Sequence, residues 1–147
     1  MISALSYIGI RSDRTEDWRQ FAGTLLGMQV LDRGGRNIAF RMDDQAQRLI
    51  VSDEPGATLA YIGWEVDQKS DLDTLATRLE DAGHAVTPGD RGLCDRRYVS
   101  DIVWCVDPAG YRVELVWNPI KVNDRFVPGR PIGGFKTGPY GALLHGS

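Results

Sequence analysis

"YIGI" at residues 7–10 and "YIGWEV" at 61–66 open two stretches of the same kind, each an apolar run that leads into a charged, helix-like segment. A chain that repeats such a pattern is made of copies of one supersecondary unit, so how far the repeat extends decides the fold. Around the first copy, "ISALSYIGI" (2–10) reads as a strand. "SDRTEDWRQFAGTLLG" (12–27) then reads as a helix, with Ser12 or Asp13 as cap, acids in the first turn and Gly27 as its stop. Trp18, Phe21, Ala22 and Leu25 fall at helical spacing and predict one inward face. Three short strands follow: "MQVLDR" (28–33), "NIAFRM" (37–42) after the Gly34-Gly35 turn, and "RLIVSD" (48–53) after the polar "DDQAQ". The unit is βαβββ.

"EPGAT" (54–58) breaks the pattern, which restarts with the strand "LAYIGWEV" (59–66). A helix is predicted from about Asp71 to Ala82, with Leu72, Leu75, Ala76 and Leu79 inward, followed by the strand "HAV" after Gly83. The arginine-rich "GDRGLCDRR" (89–97) reads as a solvated loop before "IVWCV" (102–106) and "YRVELVW" (111–117). The last two join through a "DPAG" turn in which Asp107 caps and Gly110 supplies a positive φ. This second unit is again βαβββ. Tyr7-Ile8-Gly9 recurs as Tyr61-Ile62-Gly63 at an offset of 54, as does Asp17 as Asp71, and Phe21 and Leu25 map onto Leu75 and Leu79. The offset grows to 56 between Val30 and Val86 and to 64 between Arg48 and Arg112, as loop insertions produce.

One βαβββ unit leaves an open sheet edge and an uncovered concave face, which a second copy can cover. The expected fold is therefore α+β, two tandem βαβββ modules (about 1–54 and about 58–118) forming a curved, half-barrel-like mixed sheet around a cleft. Alternate residues of the first and last strand of each module would line that cleft at four equivalent positions.

Composition narrows the class of partner. The chain has 147 residues, a formal charge of −3 and 17 scattered basic residues, which excludes the basic stripe of a nucleic-acid binder. Two cysteines, Cys94 and Cys105, are too few for a disulfide framework, and no signal-like n-region and h-region precede the first strand, which points to the cytoplasm. No apolar run approaches the length that crosses a bilayer.

With these elements in place the sequence resembles the vicinal oxygen chelate (glyoxalase/bleomycin resistance/dioxygenase) superfamily, and "DPAGYRVELVW" (107–117) is similar to its signature of a D-P-x-G turn before a glutamate-bearing last strand. The nearest likeness is to the amino-terminal domain of type I extradiol dioxygenases, of the dihydroxybiphenyl and dihydroxynaphthalene kind. It runs from "SALSYIGI" through "AYIGWEV" to "FVPGRPIGGFKTG" (126–138). The resemblance implies a single domain over 1–118 and, over 119–147, a Pro/Gly-rich extension like an interdomain linker. It also implies that the full-length enzyme is about twice this long, with Fe(II) held by two histidines and a glutamate in the other domain. This chain would hold no metal and no catalytic residue of its own, and would support a catalytic domain or a homo-oligomer.

On the pseudo-twofold, the four cleft positions at the level of the metal are Tyr7, Ile50, Tyr61 and Glu114. Only Glu114 is an ordinary ligand, whereas an iron or zinc site needs at least three suitable donors. The tyrosines are read as core aromatics whose hydroxyls bond within the cleft, with Glu114 as a candidate acceptor. His84, after Gly83, is read as a surface or cap residue. His145 is read as a terminal residue, although it follows a T-G-x-x-G segment as the family's first iron ligand does. Cys94, beside Arg91, Arg96 and Arg97, has the surroundings that lower a thiol pKa but no histidine base, and Cys105 reads as core.

Three functions compete. The first is the non-catalytic amino-terminal domain, or a short form, of an extradiol catechol dioxygenase of aromatic catabolism, inactive alone. The second is a metal-free module that holds a small flat aromatic or a drug between Tyr7, Tyr61 and Trp64 or Trp104. The third, a small isomerase or lyase with a metal site completed across a dimer, needs ligands that the chain does not offer.

Overall fold

A computed structural model describes residues 1–34 and 37–122 together with the short strand pieces 135–136 and 143–144. The elements run β1 (Ile2–Arg11), α1 (Thr15–Trp18) continuing into a π-helical turn (Arg19–Leu25), β2 (Gln29–Asp32), β3 (Ile38–Arg41), β4 (Leu49–Ser52), β5 (Leu59–Val66), α2 (Lys69–Asp81), β6 (Thr87–Pro88), α3 (Arg91–Arg97), β7 (Val99–Val106) and β8 (Arg112–Pro119). Two small strands, β9 (Phe135–Lys136) and β10 (Leu143–Leu144), pair antiparallel. The βαβββ order thus occurs twice, with α3 added in the second copy. No helix of the described residues is long and apolar enough to cross a membrane.

The described residues pack as two compact units, one within Met1–Gly9 and Leu59–Ile120, the other within Ile10–Thr58 and Lys121–Ser147. In the first, the strand order is β1-β5-β8-β7-β6. β5 and β8 are parallel with Gly63 opposite Glu114, and β7 runs antiparallel to β8 with Trp104 opposite Glu114. Because side chains alternate across a strand, Val113, Leu115 and Trp117 point to one face, where α2 buries Leu72 against Leu115 and Val66, flanked by Leu75 and Leu79. Arg112 and Glu114 point to the other.

In the second unit β2, β3 and β4 form an antiparallel meander, with Val30 opposite Phe40 and Phe40 opposite Leu49. Its core is Ala22, Ile38, Phe40 and Val51. The polar segment between β3 and β4 is buried: Arg48 grips the Asp43 carboxylate at 2.6 Å, and the Asp43 side chain accepts the Gln45 amide at 3.0 Å.

Four sequence expectations change. The Leu26 N–H bonds the Phe21 carbonyl at 3.0 Å, an i→i−5 bond. That wider turn shifts the helical face, so Ala22 points inward while Phe21 and Leu25 stand 48% and 54% exposed. Neither Ser12 nor Asp13 caps the helix, since α1 starts at Thr15 with no side-chain cap and the Ser12 hydroxyl accepts the Arg14 amide instead. "HAV" is not a strand, and β6 begins at Thr87. The arginine-rich segment is helix α3, because Asp90 caps it by accepting the Leu93 amide at 2.8 Å and Tyr98 ends it in the left-handed region at φ 56. The "DPAG" turn is as expected: Asp107 Oδ1 accepts the amides of Ala109 and Tyr111, each at 2.9 Å, and Gly110 has φ 91.

Candidate functional site

The repeated tripeptide builds the centre of the first compact unit. A Cβ placed on Gly9 would lie 2.2 Å from Tyr61 Cζ, and one on Gly63 would lie 2.5 Å from Tyr7 Cζ. Each tyrosine ring therefore lies over the glycine of the other copy, and the two rings meet edge to face at 5.8 Å. Tyr and Gly stand two apart in both copies because adjacent same-face positions on each strand supply one ring and one gap for its partner's ring.

Glu114, on β8, is fully buried and carries four bonds. The Tyr7 hydroxyl donates to Oε1 at 2.5 Å, Arg97 donates to both oxygens at 2.7 and 3.0 Å, and Arg112 donates to Oε2 at 2.9 Å. Arg97, at the end of α3, also lies over the Tyr61 ring at 3.7 Å, and Arg112 lies over Trp104 at 4.1 Å. Burial by itself would push the Glu114 carboxyl up, but the hydrogen bonds and charge of Arg97, with Tyr7 and Arg112, outweigh it and hold the pKa below its ordinary value. The Tyr7 hydroxyl is pushed well up, first by burial and then by the Glu114 charge. Tyr7 is thus a fixed donor and Glu114 a fixed anion.

Of the four positions read from the sequence, the structure brings Tyr7, Tyr61 and Glu114 together. Ile50 lies in the other compact unit, opposite Ala39 across β3 and β4. Sequence reading missed Arg97 and Arg112, which complete the cluster. Arg112 was accessible to it, since it precedes Glu114 by two residues and so shares its face, while Arg97 was hidden by reading α3 as a loop.

This donor set does not fit Fe(II). Its single carboxylate is saturated by one hydroxyl and two guanidiniums, its tyrosines are held protonated or ring-packed, and a cation at Glu114 would have to displace two others. Among the described residues no three His, Cys, Asp or Glu side chains gather to hold a metal. Cys94 is not activated either, for it is 2% exposed and burial pushes its thiol up against the opposing charge of Arg91. Cys105 is likewise buried, with a raised pKa. His84 is exposed, and its backbone N–H closes the end of α2 on the Leu79 carbonyl at 2.9 Å. His145 and most of the 119–147 extension lie outside the described residues.

The family model described as "Dihydroxybiphenyl dioxygenase BphC D1" matches residues 5–56. The chain is 36% identical over 140 residues to the 1,2-dihydroxynaphthalene dioxygenase of Pseudomonas putida, covering 93% of this chain and 46% of that protein. It is 33% identical over 141 residues to the biphenyl-2,3-diol 1,2-dioxygenase of Paraburkholderia xenovorans strain LB400, covering 95% and 47%. Among solved structures, BphC, a halotolerant catechol dioxygenase, superposes with a TM-score of 0.86 at 32% identity, over 94% of this chain and 47% of that one. A catechol 2,3-dioxygenase superposes with the same score at 33% identity, over 90% and 46%. The chain thus spans about half the length of the curated relatives it matches.

Proposed function

We propose that this chain, which corresponds in sequence and fold to the amino-terminal domain of the extradiol ring-cleavage dioxygenases, is the non-catalytic half of such an enzyme, in the cytoplasm. Its work is to support a metal-bearing catalytic half and the oligomer, while Fe(II) and the catechol are handled in that other half. The observation that carries this reading is the saturation of Glu114. Where an iron site needs free donors, this cluster spends its one carboxylate on Tyr7, Arg97 and Arg112. The alternative of an aromatic-binding module built on Tyr7 and Tyr61 is less well supported, because each ring is buried and the guanidinium of Arg97 covers the Tyr61 face.

The test is to purify the chain anaerobically with Fe(II) and assay it against 2,3-dihydroxybiphenyl, 1,2-dihydroxynaphthalene and 3-methylcatechol. No ring-fission chromophore should form, and the chain should co-purify with a separately expressed metal-binding half of a relative. Ring cleavage by this chain alone would overturn the reading.

A further inference from the structure

On the face of β5 and β8 that carries α2, packing is incomplete. A cavity of about 440 Å³ opens between the second half of α2 and the sheet, walled by Trp64, Leu75, Leu79 and Val113. Its volume lies within the range of roughly 300–1,000 Å³ typical of small-molecule sites, and its lining is predominantly apolar. It lies on the α2 face, whereas Glu114, between Val113 and Leu115 on β8, points to the other.

The polar groups around this cavity are unevenly committed. Asp107, the one carboxylate in the lining, holds the amides of Ala109 and Tyr111 and is occupied with its turn. Arg78 and His84 also belong to the lining, and neither makes an ion pair or a side-chain hydrogen bond with another described residue. An apolar chamber beside an uncommitted guanidinium selects for a molecule with an apolar body and one negative end. A neutral hydrocarbon leaves Arg78 unmatched, and a cation is repelled by it.

We propose that this cavity is a binding site for an apolar carboxylate, an aryl acid of one or two fused rings. Its rings lie against Trp64 and the leucines of α2, and its carboxylate is held by Arg78 with the His84 imidazole as a second donor. The inference does not depend on the catalytic parentage proposed above.

The test is a titration of the 147-residue chain, labelled with ¹⁵N, with 2-naphthoate and with its neutral analogue 2-naphthamide. Saturable shifts are expected at the Trp64 indole N–H and at the amides of Leu75 to Leu79. Affinity should fall about tenfold or more for the amide and for Arg78→Gln, because a charge-assisted bond is lost in each case. Arg78 is exposed on its helix, so that variant keeps the fold. Absence of saturation at millimolar acid, equal affinity of acid and amide, an unchanged affinity in Arg78→Gln, or shifts centred on Tyr7 and Tyr61 would each overturn the proposal. So would concentration-dependent dimerisation that protects this face, which would assign the cavity to a second copy of the chain.

Discussion

A glycine two residues after a tyrosine looks unremarkable once, and its repetition is explained only by the crossed packing of Tyr7 on Gly63 and Tyr61 on Gly9. Filling either gap overpacks a buried core, which costs roughly 1–3 kcal/mol. Gly63→Ala should therefore lower the urea midpoint, and combining it with Tyr7→Ala should cost about 1 kcal/mol less than the sum of the two singles, since the smaller side chain leaves room for the methyl. Strict additivity in that double-mutant cycle would show that the ring and the glycine do not compete for the same space. Glu114 allows a sharper test. Arg97→Met leaves the buried carboxylate with one guanidinium and the Tyr7 hydroxyl and should cost about 3 kcal/mol near neutral pH, while Tyr7→Phe, which removes one bond to a charged acceptor, should cost about 2 kcal/mol. The pH dependence has a definite sign. Glu114 has its folded pKa depressed below the unfolded value of 4.5, so its contribution is present above that value and is lost as pH falls through the folded pKa. In Arg97→Met only Tyr7 and Arg112 still oppose burial, so the carboxyl pKa rises and less of the stability depends on its ionised form. The stability gap between the two proteins should be widest at neutral pH and narrow below about pH 4.5; a gap that stays constant from pH 7 to pH 4 would mean that Arg97 acts through packing alone.

At the scale of elements, α3 decides whether Arg97 reaches the carboxylate. Seven residues are too few to form a helix by propensity, so the Asp90 cap and the burial of Leu93 and Cys94 hold it in place. Asp90→Ala should cost about 1 kcal/mol and raise amide exchange across Arg91–Arg97, with α2 unaffected. Uniform acceleration throughout the chain would indicate global unfolding instead. This helix also marks where sequence reading stops. β5, α2 and the "DPAG" turn were legible because alternation, 3.6-residue periodicity and an Asx turn are local signals. The segment around α3 concealed its helix because five charged residues in nine resemble a solvated loop unless Asp90 is recognised as a cap. The first helix misled in the opposite direction, for a strong apolar periodicity at Phe21 and Leu25 presumes 3.6 residues per turn, and one π-type turn rotates both side chains into solvent. Leu25→Lys should thus change stability by less than about 0.5 kcal/mol, whereas Ala22→Leu, at a fully buried position, should cost roughly 1–3 kcal/mol.

For the molecule as a whole, the two βαβββ copies were legible and the cluster only half so. Tyr7, Tyr61 and Glu114 follow from the repeat, but the cations that neutralise Glu114 come from a helix and a strand position that no repeat specifies. Arg97 and Arg112 neutralise the buried Glu114 carboxylate, so an ionic network of the chain's own side chains stabilises this core. A metal present at a hundred times its dissociation constant adds about 2.7 kcal/mol to a fold that binds it, which for a chain of this size moves the thermal midpoint by roughly 10 °C. This chain should show no such dependence. Its midpoint should stay within about 1 °C on adding millimolar EDTA, Fe(II), Mn(II) or Zn(II), while Arg97→Met lowers it by roughly 10 °C without any metal present. A midpoint that rises with Fe(II) and falls with chelator would mean that the arginines are displaced in solution, and that Glu114 serves an ion rather than the guanidiniums that surround it.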